Sequence, residues 1–127
     1  MSSKVRIDLE FPIHASPSFL YQYISTPDSM GEWFADNVNS RGKKYIFIWN
    51  ESEEIAERIA GKNDVFIRFK WEEDDDDDTY FELRIEVDDL TKDVSLLVVD
   101  FAEEDEVEES KMFWENQIAE LKHVIGG

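Results

Sequence analysis

The chain has 127 residues, 31 acidic and 13 basic, for a net charge of −18, and no cysteine. That length suits one domain over residues 1–127, able to bury a core without staples. Without thiols there can be no disulfide scaffold, thiol catalysis or thiolate metal site. The charge would repel phosphate backbones and anionic membrane surfaces, which argues against nucleic-acid binding. No signal-type apolar region or ~20-residue apolar span is present, so membrane insertion and export are not expected, and the cytoplasm is the expected compartment.

Val5, Ile7, Leu9 and Phe11 alternate with Arg6, Asp8 and Glu10, the pattern of a half-buried strand that Pro12 should end. Ser16-Pro17 then predicts a helix, with Ser as N-cap and Pro at the first helical position. Phe19, Leu20, Tyr23 and Ile24 give that helix an apolar face. Thr26-Pro27-Asp28 repeats the start signal and predicts a second short helix over Pro27–Phe34, weakened by Gly31.

From Lys43 the period changes. Tyr45–Trp49 reads as a strand apolar on both faces, and Asn50-Glu51-Ser52 as a turn. Residues 55–60 alternate like a strand. Glu, Ala and Ile also suit a helix there, but the short spacing and flanking turns favour a strand. After a turn at Gly61–Asp64, three more strands are predicted at Val65–Trp71, Phe81–Val87 and Val94–Phe101. In the closing segment Glu104–Ile125, Val107, Trp114, Ile118, Leu121 and Ile125 fall on one helical face. Such a stripe must be buried, and the sheet is the large surface available. The expected fold is therefore α+β: six strands, two short helices between strands 1 and 2, and a long terminal helix.

The words Ser16-Pro17-Ser18-Phe19-Leu20-Tyr21-Gln22-Tyr23-Ile24-Ser25-Thr26-Pro27, followed by Met30-Gly31-Glu32-Trp33-Phe34, carry a family resemblance. Phe69-Lys70-Trp71 and Trp114 fit it as well. The chain resembles the START-like helix-grip superfamily, which includes birch-pollen-allergen-like and polyketide-cyclase-like proteins. Within it, the chain is most similar to the small bacterial branch related to the activator of heat-shock-protein-90 ATPase. The resemblance implies a curved six-stranded antiparallel sheet gripping the C-terminal helix, with a cavity between them that commonly takes a hydrophobic ligand. Some members of the family are cyclases or dehydratases and others are interaction domains, so the fold alone does not choose.

No catalytic constellation is visible. His14 and His123 lack a nucleophile and acid at triad spacing, and there is no H-E-x-x-H pair for zinc. The acidic run Glu72–Asp78 has no turn glycine, and the twelfth position counted from Asp74 is Ile85, a poor match to a calcium loop. A solvated hairpin tip is the expectation there. Arg58, Arg68 and Arg84 either project into a cavity as anion partners or pair across strands with the many carboxylates. No catalytic residue, metal site or cofactor is expected.

The aromatic residues carry the functional expectation. If a ligand cavity exists, its lining is Trp33, Phe34, Trp49, Phe69, Trp71, Trp114 and Ile118. Phe69 and Trp71 share a strand face, and Trp114 and Ile118 a helix face. The leading expectation is a non-enzymatic module for a small hydrophobic or lipid-like ligand. The alternative is an interaction or regulatory domain whose core is filled and whose acidic surface meets a basic protein partner. A cyclase- or hydrolase-like enzyme is a remote third, because such chemistry needs a positioned base among the apolar stripes.

Overall fold

The structure, a computed structural model, describes residues 4–126. Strand β1 (Lys4–Ile13) is followed by helices α1 (Pro17–Ser25) and α2 (Pro27–Met30). Six strands then run in succession: β2 (Asn37–Arg41), β3 (Lys44–Trp49), β4 (Ser52–Lys62), β5 (Phe66–Trp71), β6 (Phe81–Val87) and β7 (Val94–Glu103). A short 3-10 turn at Glu104–Glu106 leads into α3 (Val107–Ile125).

All pairings are antiparallel, in the order β1-β7-β6-β5-β4-β3-β2. The two short helices carry the chain from one edge of the sheet to the other. The meander then returns until β7 lies beside β1.

The sheet thus has seven strands, not the six expected. The missed strand, β2, reads Asn-Val-Asn-Ser-Arg and buries only Val38. An edge strand with one inward residue leaves no apolar alternation in the sequence. The second helix also stops at Met30 instead of reaching Phe34. The amides of Trp33, Phe34 and Ala35 all fold back onto the Met30 carbonyl, a tight turn that aims both aromatic rings inward. Pro12 does not end β1, which continues to Ile13. The strand is at the sheet edge, where a residue without an N–H need not break the ladder.

The start of α1 follows its sequence signal. The Phe19 amide donates to Ser16 Oγ at 3.3 Å, and Pro17 occupies the first turn. At the other end of the chain Gly126 closes α3 at φ 75°, a conformation that favours glycine.

One face of the sheet forms the core, with Phe47, Ala56, Ile67, Phe69, Phe81, Leu83, Leu96 and Val98 fully buried. Against this face, α1 packs on β5 and β6, and α3 on β1 and β7. Trp114, Ile118 and Leu121 of α3 are buried as the stripe required, while Val107 and Ile125 are half-buried.

The acidic segment is more ordered than a freely solvated tip. Asp74 is half-buried and accepts from Lys4 Nζ at 3.2 Å, from the Asp76 amide at 3.0 Å and from Thr79 Oγ1. Lys70 Nζ donates to the Asp76 and Thr79 carbonyls. Burial raises the Asp74 pKa, but the hydrogen bonds from Thr79, Asp76 and Lys4 outweigh it and bring it below the ordinary value. Asp75, Asp77 and Asp78 are exposed, as a charge run should be.

Candidate functional site

Strand parity builds the aromatic site. Tyr45, Phe47 and Trp49 share the inner face of β3, because Tyr45 lies opposite the buried Ala56. Phe69 lies opposite Phe81, and their rings stack at 5.0 Å. Trp71 follows Phe69 on the same face, with its ring 5.7 Å from Phe47 and 5.1 Å from Phe81.

Phe34 is the hub. From the turn after α2 it enters between sheet and helix and packs against six rings: Trp33, Phe47, Trp49, Phe81, Phe113 and Trp114. The separations run from 5.0 Å to Phe47 to 6.2 Å to Phe113, the range of favourable edge-on and offset contacts.

The polar atoms of this layer are placed as carefully as its rings. Trp33 Nε1 donates to the Tyr23 carbonyl at 2.8 Å. The Phe34 carbonyl accepts from Trp49 Nε1 at 2.9 Å and from Gln117 Nε2 at 2.5 Å, joining β3 and α3 through one turn residue. Trp114 Nε1 donates to Asp100 Oδ2 at 2.8 Å, which fixes α3 to β7. Burial raises the Asp100 pKa above the ordinary carboxylate value, and the hydrogen bonds from Trp114 and the Phe101 amide draw it partly back.

All seven residues singled out from the sequence belong to the core or pack against it. They do not share one exposure. Phe69, Trp114, Ile118 and Phe34 are at most 1% exposed, Trp33 is buried, and Trp49 and Trp71 are half-buried. Trp33, Phe34 and Trp49 border an open cleft of about 400 Å3, whose other walls include Glu32, Asp36, Gln117 and Glu120. Phe69, Trp71, Trp114 and Ile118 are not among the residues lining it. Sequence reasoning did not single out Phe113 or Gln117. Gln117 lies one position from Ile118, outside the apolar stripe, so periodicity passes over it; Phe113 is 40% exposed beside Trp114.

A second open cleft, about 460 Å3, lies where the end of β1 meets the β6–β7 turn. It is lined by Glu10, His14, Glu86, Asp88 and Asp93 among others, and by no Phe, Tyr or Trp. Its wall mixes these carboxylates with apolar side chains, among them Pro12, Ile13, Val87 and Val94. Among the described residues no group of His, Asp and Glu is arranged to hold a metal ion. No helix among them is long and apolar enough to cross a membrane.

An antiparallel sheet closed on one face by a long C-terminal helix, with an aromatic layer between them, defines a START-like domain. The chain belongs to that superfamily: the model of the START-like superfamily domain matches residues 1–127. The solution structure of BfR322 from Bacteroides fragilis is similar, at 32% identity and TM-score 0.67, over 98% of this chain and 93% of that one. The Aha1 dimer from Colwellia psychrerythraea shares the fold at 16% identity and TM-score 0.78, over 93% of each chain. Protein MLL2253 from Mesorhizobium loti does so at 13% identity and TM-score 0.75, over 96% of this chain and 97% of that one. No curated protein matches the chain.

Proposed function

We propose that this START-like domain is a non-enzymatic cytoplasmic module that binds a small hydrophobic or lipid-like molecule, entering at the cleft between residues 31–36 and α3. The observation that carries this reading is the placement of Trp33, Phe34 and Trp49 along a cleft of about 400 Å3, backed by the ring layer of Phe47, Trp71 and Trp114. That volume falls within the ~300–1,000 Å3 of small-molecule sites. A bound molecule would gain mainly from apolar burial, offset by the cost of association.

The test is a library of fatty-acid-like and flat aromatic molecules, read by tryptophan fluorescence and native mass spectrometry. Micromolar binding that falls about tenfold in Trp49→Ala is the expected result. A library with no binder would defeat the reading.

A second reading has its own support. Phe47, Phe69 and Phe81 are fully buried in mutual ring contact, as in a core filled for stability. On that reading the domain acts through its acidic surface on a basic protein partner. Association that weakens steeply with salt, with no small-molecule binding, would favour it.

A further inference from the structure

The fold sorts the three arginines of the central strands. Arg68 and Arg84 stand on the outer face, where both donate to the buried carboxylate of Glu82, at 2.7 and 3.1 Å. Each guanidinium also covers a ring, Arg68 over Tyr80 at 4.2 Å and Arg84 over Phe66 at 4.4 Å. Arg58 differs. It lies opposite Phe69 on the inner face, and among the described residues its guanidinium makes no hydrogen bond or ion pair. In a chain of net charge −18, an unpaired half-buried arginine on the core side of the sheet is unexpected.

The local backbone gives that guanidinium its place. A bulge in β4 between Arg58 and Ala60 takes Ile59 out of register. The next inner-face residue after Arg58 is therefore Gly61, opposite Ile67. A Cβ at Gly61 would come within 2.6 Å of Arg58 Nη2, so the guanidinium lies directly against the Gly61 backbone.

Helix α1 covers the same end of the face. The Tyr45 hydroxyl donates to the Ser25 carbonyl at 2.6 Å, and Tyr45 lies opposite Ala56, one inner-face step from Arg58. One turn earlier in α1 is Tyr21. It is 7% exposed, and its buried hydroxyl has no partner among the described residues. Burial raises the pKa of both phenols, and the nearby Arg58 charge draws each partly back. Asp64, in the β4–β5 turn, also bears electrostatically on Tyr21, but it is not within ion-pair distance of Arg58.

A guanidinium offers only donors, arranged as a fork that matches two carboxylate oxygens. A buried hydroxyl without a partner is costly, and an acceptor would relieve it. The pair therefore lacks a planar, singly charged acceptor, and the field of the chain disfavours more highly charged anions. We propose that Arg58 and Tyr21 form a binding site for the carboxylate of a small organic acid, with the guanidinium holding both oxygens and the Tyr21 hydroxyl donating to one. The site lies at the Tyr45 end of β3, away from the cleft at Trp49, and does not depend on that cleft holding a ligand.

The experiment titrates benzoate, and benzamide as its neutral analogue, into the isotope-labelled full chain, followed by backbone amide signals. Benzoate should saturably shift the amides of Tyr21, Arg58 and Gly61, binding about tenfold tighter than benzamide. Arg58→Gln should remove that preference. Tyr21→Phe should weaken benzoate by roughly three- to tenfold while leaving the denaturation midpoint unchanged. Arg58→Lys keeps the charge but not the fork, and should fold and bind benzoate less well than the native chain. Equal binding of benzoate and benzamide would overturn the proposal. So would benzoate affinity that survives Arg58→Gln or Arg58→Lys, or a loss of stability in Tyr21→Phe, which would give the hydroxyl a structural role.

Discussion

At the Trp49 end of β3, the inner face carries rings in mutual contact, and the indole nitrogens of Trp33, Trp49 and Trp114 each donate to a carbonyl or carboxylate. At the Tyr45 end, under α1, one phenol is bonded, while among the described residues the other has no partner and an arginine beside them makes no ion pair. The same strands and helices build both ends. The first has its geometry fixed by packing and hydrogen bonds together, so damage there is damage to the fold. The second leaves the Arg58 guanidinium and the Tyr21 hydroxyl without hydrogen-bond partners among the described residues, so changes to those two groups should alter what the protein binds more than how stably it folds.

The largest expected effect is at the aromatic end. Trp114 is 1% exposed and links α3 to Phe34, Phe81 and Asp100. Trp114→Ala should cost on the order of 3–5 kcal/mol, as large-to-small core substitutions do. A shift in the denaturant midpoint worth less than about 1 kcal/mol would break the contrast, because α3 would then not depend on this contact.

A smaller effect is expected where the Tyr45 end does have a bond. Tyr45→Phe removes the donor to the Ser25 carbonyl and should cost about 1–2 kcal/mol. Chemical denaturation of this variant beside the native chain gives the value. A neutral result would place both tyrosines in the same class and erase the distinction between them.

Asp100 sharpens the comparison through pH. Its pKa is raised in the folded state, chiefly by burial, so the native protein holds this proton more tightly than the unfolded chain does. The stability it contributes is therefore fully present below its unfolded pKa, about 3.9 for Asp, and is lost as pH rises through the folded value. Asp100→Asn cannot ionise, so its stability relative to the native chain should rise with pH across that window. Denaturation curves for both proteins at stepped pH would reveal it, and a difference that stays flat or moves the other way would remove Asp100 as the cause.

The smallest stability change is expected at Tyr21. Tyr21→Phe deletes a hydroxyl without a partner among the described residues and should move stability by no more than about 0.5 kcal/mol in either direction. Set beside Tyr45→Phe in the same melting or denaturant experiment, it separates a bonded phenol from an unbonded one on the same surface. A loss as large as that of Tyr45→Phe would mean that the two ends of the inner face follow one rule.

The sequence by itself determined the order of the strong elements, the buried stripe of α3, the Ser16 cap, the inward parity of Phe69 and Trp71, and the superfamily. The superfamily comes from a family resemblance in the words around Ser16–Phe34; the others follow from local periodicity or chain chemistry, which are written in neighbouring residues. It did not reveal β2, whose five residues bury only one side chain, or the Met30–Phe34 turn, whose shape depends on three amides meeting one carbonyl. Nor could it sort Arg58 from Arg68 and Arg84. All three follow the same alternation in the sequence. Only pairing of the strands puts Glu82 between two of them, and only the bulge in β4 sets the third against Gly61 beneath α1. The candidate ring layer was legible because large apolar side chains must be buried wherever the strands meet the helix. Which of those rings border open space was settled by tertiary contacts between segments far apart in the chain, such as Phe34 with Gln117 and Trp49.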